Sequence, residues 1–186
     1  RQMLAYSGKG KFVMQRIDLN AMVREMAQLL EISVSKKADL RFDLLPEPPC
    51  VEGDETQLRQ ILMNLIINAS EALDGHRGTV TVRTGVRSCD RAYLESAFGG
   101  EALRPGEYAY FEVADNGRGM DAETLARIFE PFFTTKFTGR GLGLAAAQGI
   151  IRSHNGALRV SSRVGEGSRF RVLLPLCEAA PETPPA

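Results

Sequence analysis

A chain of 186 residues is one domain of ordinary size with length left over for tails, since domains average about 150 residues. Its 23 Lys and Arg balance its 23 Asp and Glu, and a zero formal charge argues against a sequence-independent nucleic-acid binder, which needs a basic excess. With 44% hydrophobic and 25% charged residues, the composition is that of a folding globular chain and excludes wholesale disorder.

Residues 1–12 read as the end of a helix running into a Gly/Lys turn, and 13–17 as a short strand. Asp18 is placed to cap a helix whose apolar stripe is Leu19, Met22, Val23, Met26, Leu29 and Leu30. Leu40, Phe42 and Leu44 alternate as in a half-buried strand, which the cluster Pro46, Pro48, Pro49 ends. Asp54 then caps the strongest helix, over 55–74, with Leu58, Ile61, Leu62, Leu65, Ile66, Ala69 and Leu73 on its buried face. Strands follow at 78–87 and around Tyr108–Val113, and 88–106 between them reads as a variable surface excursion. A Gly-rich stretch runs from Asp115 to about residue 143, followed by a helix to about residue 154. Residues 157–162 and 168–176 are β-rich, joined by a Gly165-Glu166-Gly167 hairpin turn. The Pro-rich end, 177–186, reads as a linker or tail.

Cys50, Cys89 and Cys177 are odd in number, widely spaced and without a C-x-x-C, so they read as reduced thiols of a cytosolic protein. His76 and His154 have no partner at metal-ligand spacing. No apolar run nears the ~18 residues of a membrane span, and no signal-peptide core opens the chain. The start at Arg1, without Met, reads as a fragment of a longer protein.

Four clusters carry chemistry. Asn64 and Asn68 share one face of the long helix, where amide oxygens suit a hard cation whose other ligands are water and phosphate. Asp115-Asn116-Gly117-Arg118-Gly119-Met120 puts a carboxylate at a strand end, where it can accept from an exocyclic amine, beside glycines that allow close backbone approach. Phe129 to Lys136, with Phe132, Phe133, Thr134 and Thr135, gathers aromatics around Pro131 as a lid would. Gly139-Arg140-Gly141-Leu142-Gly143-Leu144 opens a helix, where successive N–H groups and the helix dipole favour an anion, with Lys136 and Arg140 adding charge. There is no Walker-type G-x-x-x-x-G-K-[ST], and Gly141, Gly143 and Ala146 fit G-x-G-x-x-A without the preceding strand of a dinucleotide fold.

In this order the clusters resemble the N, G1, F and G2 boxes of the catalytic ATP-binding domain of bacterial two-component sensor histidine kinases, in the GHKL ATPase superfamily. The resemblance runs from about residue 13 to 176. It implies a two-layer α/β (α+β) sandwich of the GHKL/Bergerat type, a mixed sheet of about five strands on three helices, with a mobile ATP lid. The implied cofactors are ATP and Mg²⁺. By analogy Asp115 takes the adenine amine, Asn68 holds Mg²⁺, and Asn64 is the catalytic amide, near the phosphates or the metal. Gly139, Gly141 and Gly143 wrap the phosphates, Gly117, Gly119, Met120, Phe133, Thr135, Lys136, Arg140, Leu142 and Leu144 are further ATP-binding residues, and Ser168, where relatives commonly carry Thr, helps hold a water beneath adenine.

Two departures from the superfamily pattern matter. Hydrolysing members carry Glu four residues before the metal-binding Asn. Here Asn64 stands there, and an amide cannot act as a general base toward water. Glu71 stands where many histidine kinases carry Lys or Arg. The phosphorylated histidine is expected on an upstream helical hairpin whose last turn is 1–8, since neither His76 nor His154 has its motif. The expected activity is transfer of the ATP γ-phosphoryl group to a histidine of that dimerisation and phosphoacceptor domain of the same protein. A downstream response regulator or receiver domain is the further partner, with no nucleic acid and no direct membrane contact, and the fragment itself is expected to be monomeric. The sequence leaves open whether the parent is membrane-anchored. The alternatives are a GHKL-type ATPase driving conformational change, marked by steady phosphate release without an acceptor, and a degenerate scaffold, marked by failure to bind ATP.

Overall fold

The structure, a computed structural model, describes residues 12–34, 36–130 and 143–177. In chain order its elements are β1 (Gln15–Asp18), α1 (Leu19–Ser33), β2 (Ala38–Asp43), β3 (Cys50–Gly53), α2 (Glu55–Ala72), β4 (Gly78–Cys89), α3 (Arg91–Glu95), β5 (Gly106–Asp115), α4 (Ala122–Arg127), α5 (Gly143–Ser153), β6 (Ala157–Arg163) and β7 (Gly167–Pro175), with a 3-10 turn at Gly100–Ala102. A five-stranded sheet has the order β2-β4-β5-β7-β6. It is mixed, because β2 runs parallel to β4 while the remaining pairs are antiparallel. A separate antiparallel ribbon joins β1 to β3.

Both long helices start where an Asp side chain can satisfy an otherwise unpaired N–H. Asp18 accepts from Ala21 N at 3.0 Å and Asp54 from Gln57 N at 3.3 Å. The expected stripe of α2 is buried throughout, from Leu58 to Leu73 just past the helix. It meets Val80 and Val82 of β4, Ala109, Phe111 and Val113 of β5, and Phe170, Val172 and Leu174 of β7 in one core that α1 and α5 complete. This is the expected two-layer sandwich, with α1, α2 and α5 on one face of the sheet. Leu29 departs from its stripe and is 57% exposed, because it lies at the solvent edge of α1. Phe42 is 40% exposed on the edge strand β2.

The excursion at 88–106 is a structured piece and not a surface loop. Leu94 and Ala97 pack with Cys89, Tyr108, Ala157 and Leu173 in a second, small core on the other face of the sheet. Phe98 pairs with Leu158 through N–H···O bonds of 2.7 and 2.9 Å, which covers part of the free edge of β6. A further pairing closes the opposite end. Val51 bridges Leu176, and Cys177 N donates to the Cys50 carbonyl at 2.9 Å. All three cysteines are free thiols. Cys50 and Cys177 nonetheless bring their sulfurs to 2.9 Å, and burial together with that neighbour pushes the Cys177 thiol up to about 12.

Candidate functional site

The register of the sheet explains where the site lies. On the helix-facing side one row reads Val82, Val113, Phe170, Val160, and it is apolar. The next row reads Val80, Asp115, Ser168, Ser162. The core therefore gives way to polar side chains at the end of the sheet where the chain leaves β5. Ser168 is buried there, and Asp115 is half-buried beside it.

These polar groups are fixed by a shared network. Asp115 Oδ1 accepts from Gly117 N at 2.9 Å. Ser162 Oγ accepts from Met120 N at 2.7 Å, lies 2.8 Å from Ser168 Oγ, and donates to the Gly167 carbonyl at 3.1 Å. A hydroxyl has one hydrogen. With that of Ser162 given to Gly167, the hydrogen between the two serines comes from Ser168, whose lone pairs remain as acceptors. The stretch after Asp115 is also tied to its surroundings. Thr79 N donates to Asn116 Oδ1 at 2.8 Å, Arg118 N to the Ala72 carbonyl at 3.0 Å, and Gly165 N to the Arg118 carbonyl at 2.7 Å.

Gly117 and Gly119 have a structural role as well as the ligand role expected of them. A Cβ at Gly117 would collide with the Ala72 carbonyl. Gly119 has φ +71°, and a Cβ there would collide with the Arg163 carbonyl. Both glycines let the segment pass against the end of α2 and the end of β6.

The Arg118–Ala72 bond fixes the distance to the second pair of candidates. Asn68 lies four residues before Ala72 on α2, about 6 Å along the axis, and Asn64 lies about 6 Å further. Both amides are half-buried at the margin of the helix's apolar stripe. The structure thus brings Asp115, Gly117, Gly119, Met120 and Ser168 together at one end of the sheet, with Asn68 and Asn64 leading away along α2. Leu144 is half-buried in the first turn of α5 and packs on the core. Phe133, Thr135, Lys136, Gly139, Arg140, Gly141 and Leu142 lie outside the described residues, as does most of the expected lid. At the lid's near end, Phe129 stacks on Phe98 of the excursion at 5.2 Å between ring centroids.

Two residues that sequence reasoning misses, Ser162 and Ala72, belong to this arrangement, and a third, His154, braces α2 at its far end. Ser162 becomes visible once the hairpin turn at Gly165 is used to count register outward. Ala72 contributes only a carbonyl, which no motif reveals. His154 is buried, with Nε2 accepting from Asp54 N at 3.0 Å, so its proton sits on Nδ1, which donates to the Ile150 carbonyl at 2.7 Å. It joins the end of α5 to the start of α2. Among the described residues, no group of three or more His, Cys, Asp or Glu is placed to hold a metal ion.

Comparison with known proteins gives the family and the fold. The profile of the family described as Histidine kinase-, DNA gyrase B-, and HSP90-like ATPase matches residues 53–178. The chain is 36% identical over 178 residues to the sensor kinase CckA of Brucella abortus (strain 2308), covering 94% of this chain and 18% of that protein. It is 33% identical over 177 residues to the signal transduction histidine-protein kinase AtoS of Escherichia coli (strain K12), covering 95% and 26%. The chain thus spans about a quarter or less of these relatives' lengths. Among solved structures, the catalytic domain of histidine kinase ThkA superposes with TM-score 0.69 at 29% identity, over 88% of this chain and 95% of that one. Full-length ShkA in complex with AMPPNP superposes with TM-score 0.71 at 29% identity, over 92% and 33%. With four boxes in order, a polar row at the expected strand end and these likenesses, the chain belongs to the histidine kinase-, DNA gyrase B- and HSP90-like ATPase family, as a domain of the sensor histidine kinase catalytic type.

Proposed function

We propose that this domain binds ATP with Mg²⁺ and delivers the γ-phosphoryl group to a histidine on a separate helical dimerisation and phosphoacceptor domain. The observation that carries this reading is the polar row Asp115–Ser168–Ser162, held beside α2 by the Arg118–Ala72 bond and so next to Asn68. In this reading Asp115 accepts from the adenine amine, and Ser168 offers its lone pairs to a water beneath the ring. A neutral amide suits Mg²⁺ that keeps water and phosphate as its other ligands, so Asn68 is the residue that would hold the ion. When bound, the ion neutralises phosphate charge. Gly139, Gly141 and Gly143 wrap the phosphates, and Lys136 and Arg140 add positive charge. Asn64 orients the phosphates but cannot deprotonate water, which favours transfer to another nucleophile over hydrolysis. Support for nucleotide binding comes from ShkA, solved with AMPPNP, and support for a response regulator as partner comes from ThkA, solved with the response regulator TrrA.

The test is phosphoryl transfer. Incubated with γ-³²P-ATP and Mg²⁺, the chain stays unlabelled by itself and labels an added helical hairpin domain carrying the acceptor histidine. Strong self-labelling, or steady phosphate release with no acceptor present, contradicts the proposal.

A further inference from the structure

The outer face of the sheet carries chemistry that this reading does not use. Across β4, β5, β7 and β6 one row reads Arg83, Glu112, Arg171, Arg159, and the row beside it contains Arg169 and Ser161. Arg159 stands directly opposite Arg171, and like charges in that relation destabilise a sheet. The chain as a whole is neutral, so positive charge is concentrated here by placement and not by composition.

The side chains enclose a concavity of about 180 Å³ lined by Arg87, Tyr93, Arg159, Ser161, Arg169 and Arg171. Its guanidinium groups are held in position. Arg87 and Arg159 stack on Tyr93, 3.9 and 4.7 Å from the ring centroid. Arg159 Nε donates to Ser96 Oγ at 3.1 Å. Arg171 donates to Tyr93 Oη at 3.1 Å and to Glu112 Oε2 from Nε at 2.8 Å and Nη2 at 2.5 Å. Glu112 is fully buried, and its other oxygen lies 3.0 Å from Arg169 and 3.7 Å from Arg83. Among the described residues, neither Arg87 nor Arg159 has a carboxylate within 4.0 Å. Of the four guanidinium groups that line the concavity, two pair with Glu112 and two pair with no carboxylate of the described residues, which leaves three positive charges on the walls.

We propose that this concavity binds a small phosphate-bearing anion of the pyrophosphate class, at a site separate from the nucleotide site. Planar guanidinium forks match phosphate oxygens two at a time; Arg171 is committed to Glu112 and Tyr93, and the N–H groups open to a ligand are those of Arg87, Arg159 and Arg169. The concavity is small and open to solvent on one side, and guanidinium groups around so short a span suit a compact polyanion such as a diphosphate. The excursion, through Tyr93 of α3, walls one side of the face, which favours a compact ligand over an extended acidic segment. The site also shares strands with the other one. Arg169 adjoins Ser168, and Glu112 lies three residues before Asp115.

Inorganic pyrophosphate is the probe. Titrated into the 186-residue chain and followed by ¹H–¹⁵N NMR, it binds saturably, with the largest shifts at Ser161, Arg169 and Arg171. The double variant Arg87→Gln/Arg159→Gln leaves the Glu112 ion pairs intact, and a cooperative unfolding transition confirms that it folds. Binding weakens in it by about tenfold or more, as expected for two lost charge-assisted contacts. Arg159→Lys, which keeps charge without the fork, falls between, and a saturating non-hydrolysable ATP analogue leaves pyrophosphate binding unchanged. Absence of saturable binding overturns the proposal, as does unaltered binding in the double variant or displacement of pyrophosphate by the ATP analogue. Capture of oligoglutamate or of anionic lipid vesicles by a face that ignores pyrophosphate overturns it too, and makes the face a docking surface for a macromolecule.

Discussion

Phe111 and Glu112 are neighbours on β5, both fully buried, and they belong to opposite worlds. Phe111 faces the helices and is held by contacts with other apolar groups, which any well-packed neighbour can supply. Glu112 points to the arginine face and is held by Arg169 and Arg171, named partners at fixed positions. One face of this sheet is stabilised without direction, and the other depends on charge pairing that must be complete to be tolerated.

Substitutions at these positions sharpen the contrast. Phe111→Ala, which opens a cavity in the main core, costs about 3–5 kcal/mol in urea unfolding. A loss below ~1 kcal/mol would mean that the helix-facing layer is loosely packed. Glu112→Ala leaves the mostly buried Arg171 without its carboxylate and costs about 3 kcal/mol. A loss below ~1 kcal/mol would mean that charge pairing does not hold the outer face, and would break the comparison. Arg169→Ala costs less than ~1 kcal/mol, since its side chain is more than half exposed and Arg171 still pairs Glu112.

The same contrast explains what could be read from the sequence. Burial on the helix side follows a period, so the α2 stripe from Leu58 to Leu73, the caps Asp18 and Asp54 and the β6–β7 hairpin are all legible in the order of residues alone. Short elements have no period to read. The four residues of β3 follow directly on a Pro cluster, α4 buries no residue of its own, and Leu94 and Ala97 sit in an excursion too irregular to betray a core. Charge is counted in a sequence but not located, so arginines at 87, 159, 169 and 171 vanish into a neutral total until strand register gathers them. In the candidate site the residue types Asp115, Asn68 and the glycines stand out by chemistry. The serine pair, the Ala72 carbonyl and the contacts that require Gly117 and Gly119 exist only through tertiary register.

The most direct test of the central claim, that Asp115 reads the base of a bound nucleotide, is calorimetric titration of the chain and of its Asp115→Asn variant with a non-hydrolysable ATP analogue and Mg²⁺. Replacing the charged acceptor with an amide loses ~1.5–3 kcal/mol, so affinity falls roughly 10- to 150-fold while the fold persists. An affinity unchanged from the parent chain would contradict the account.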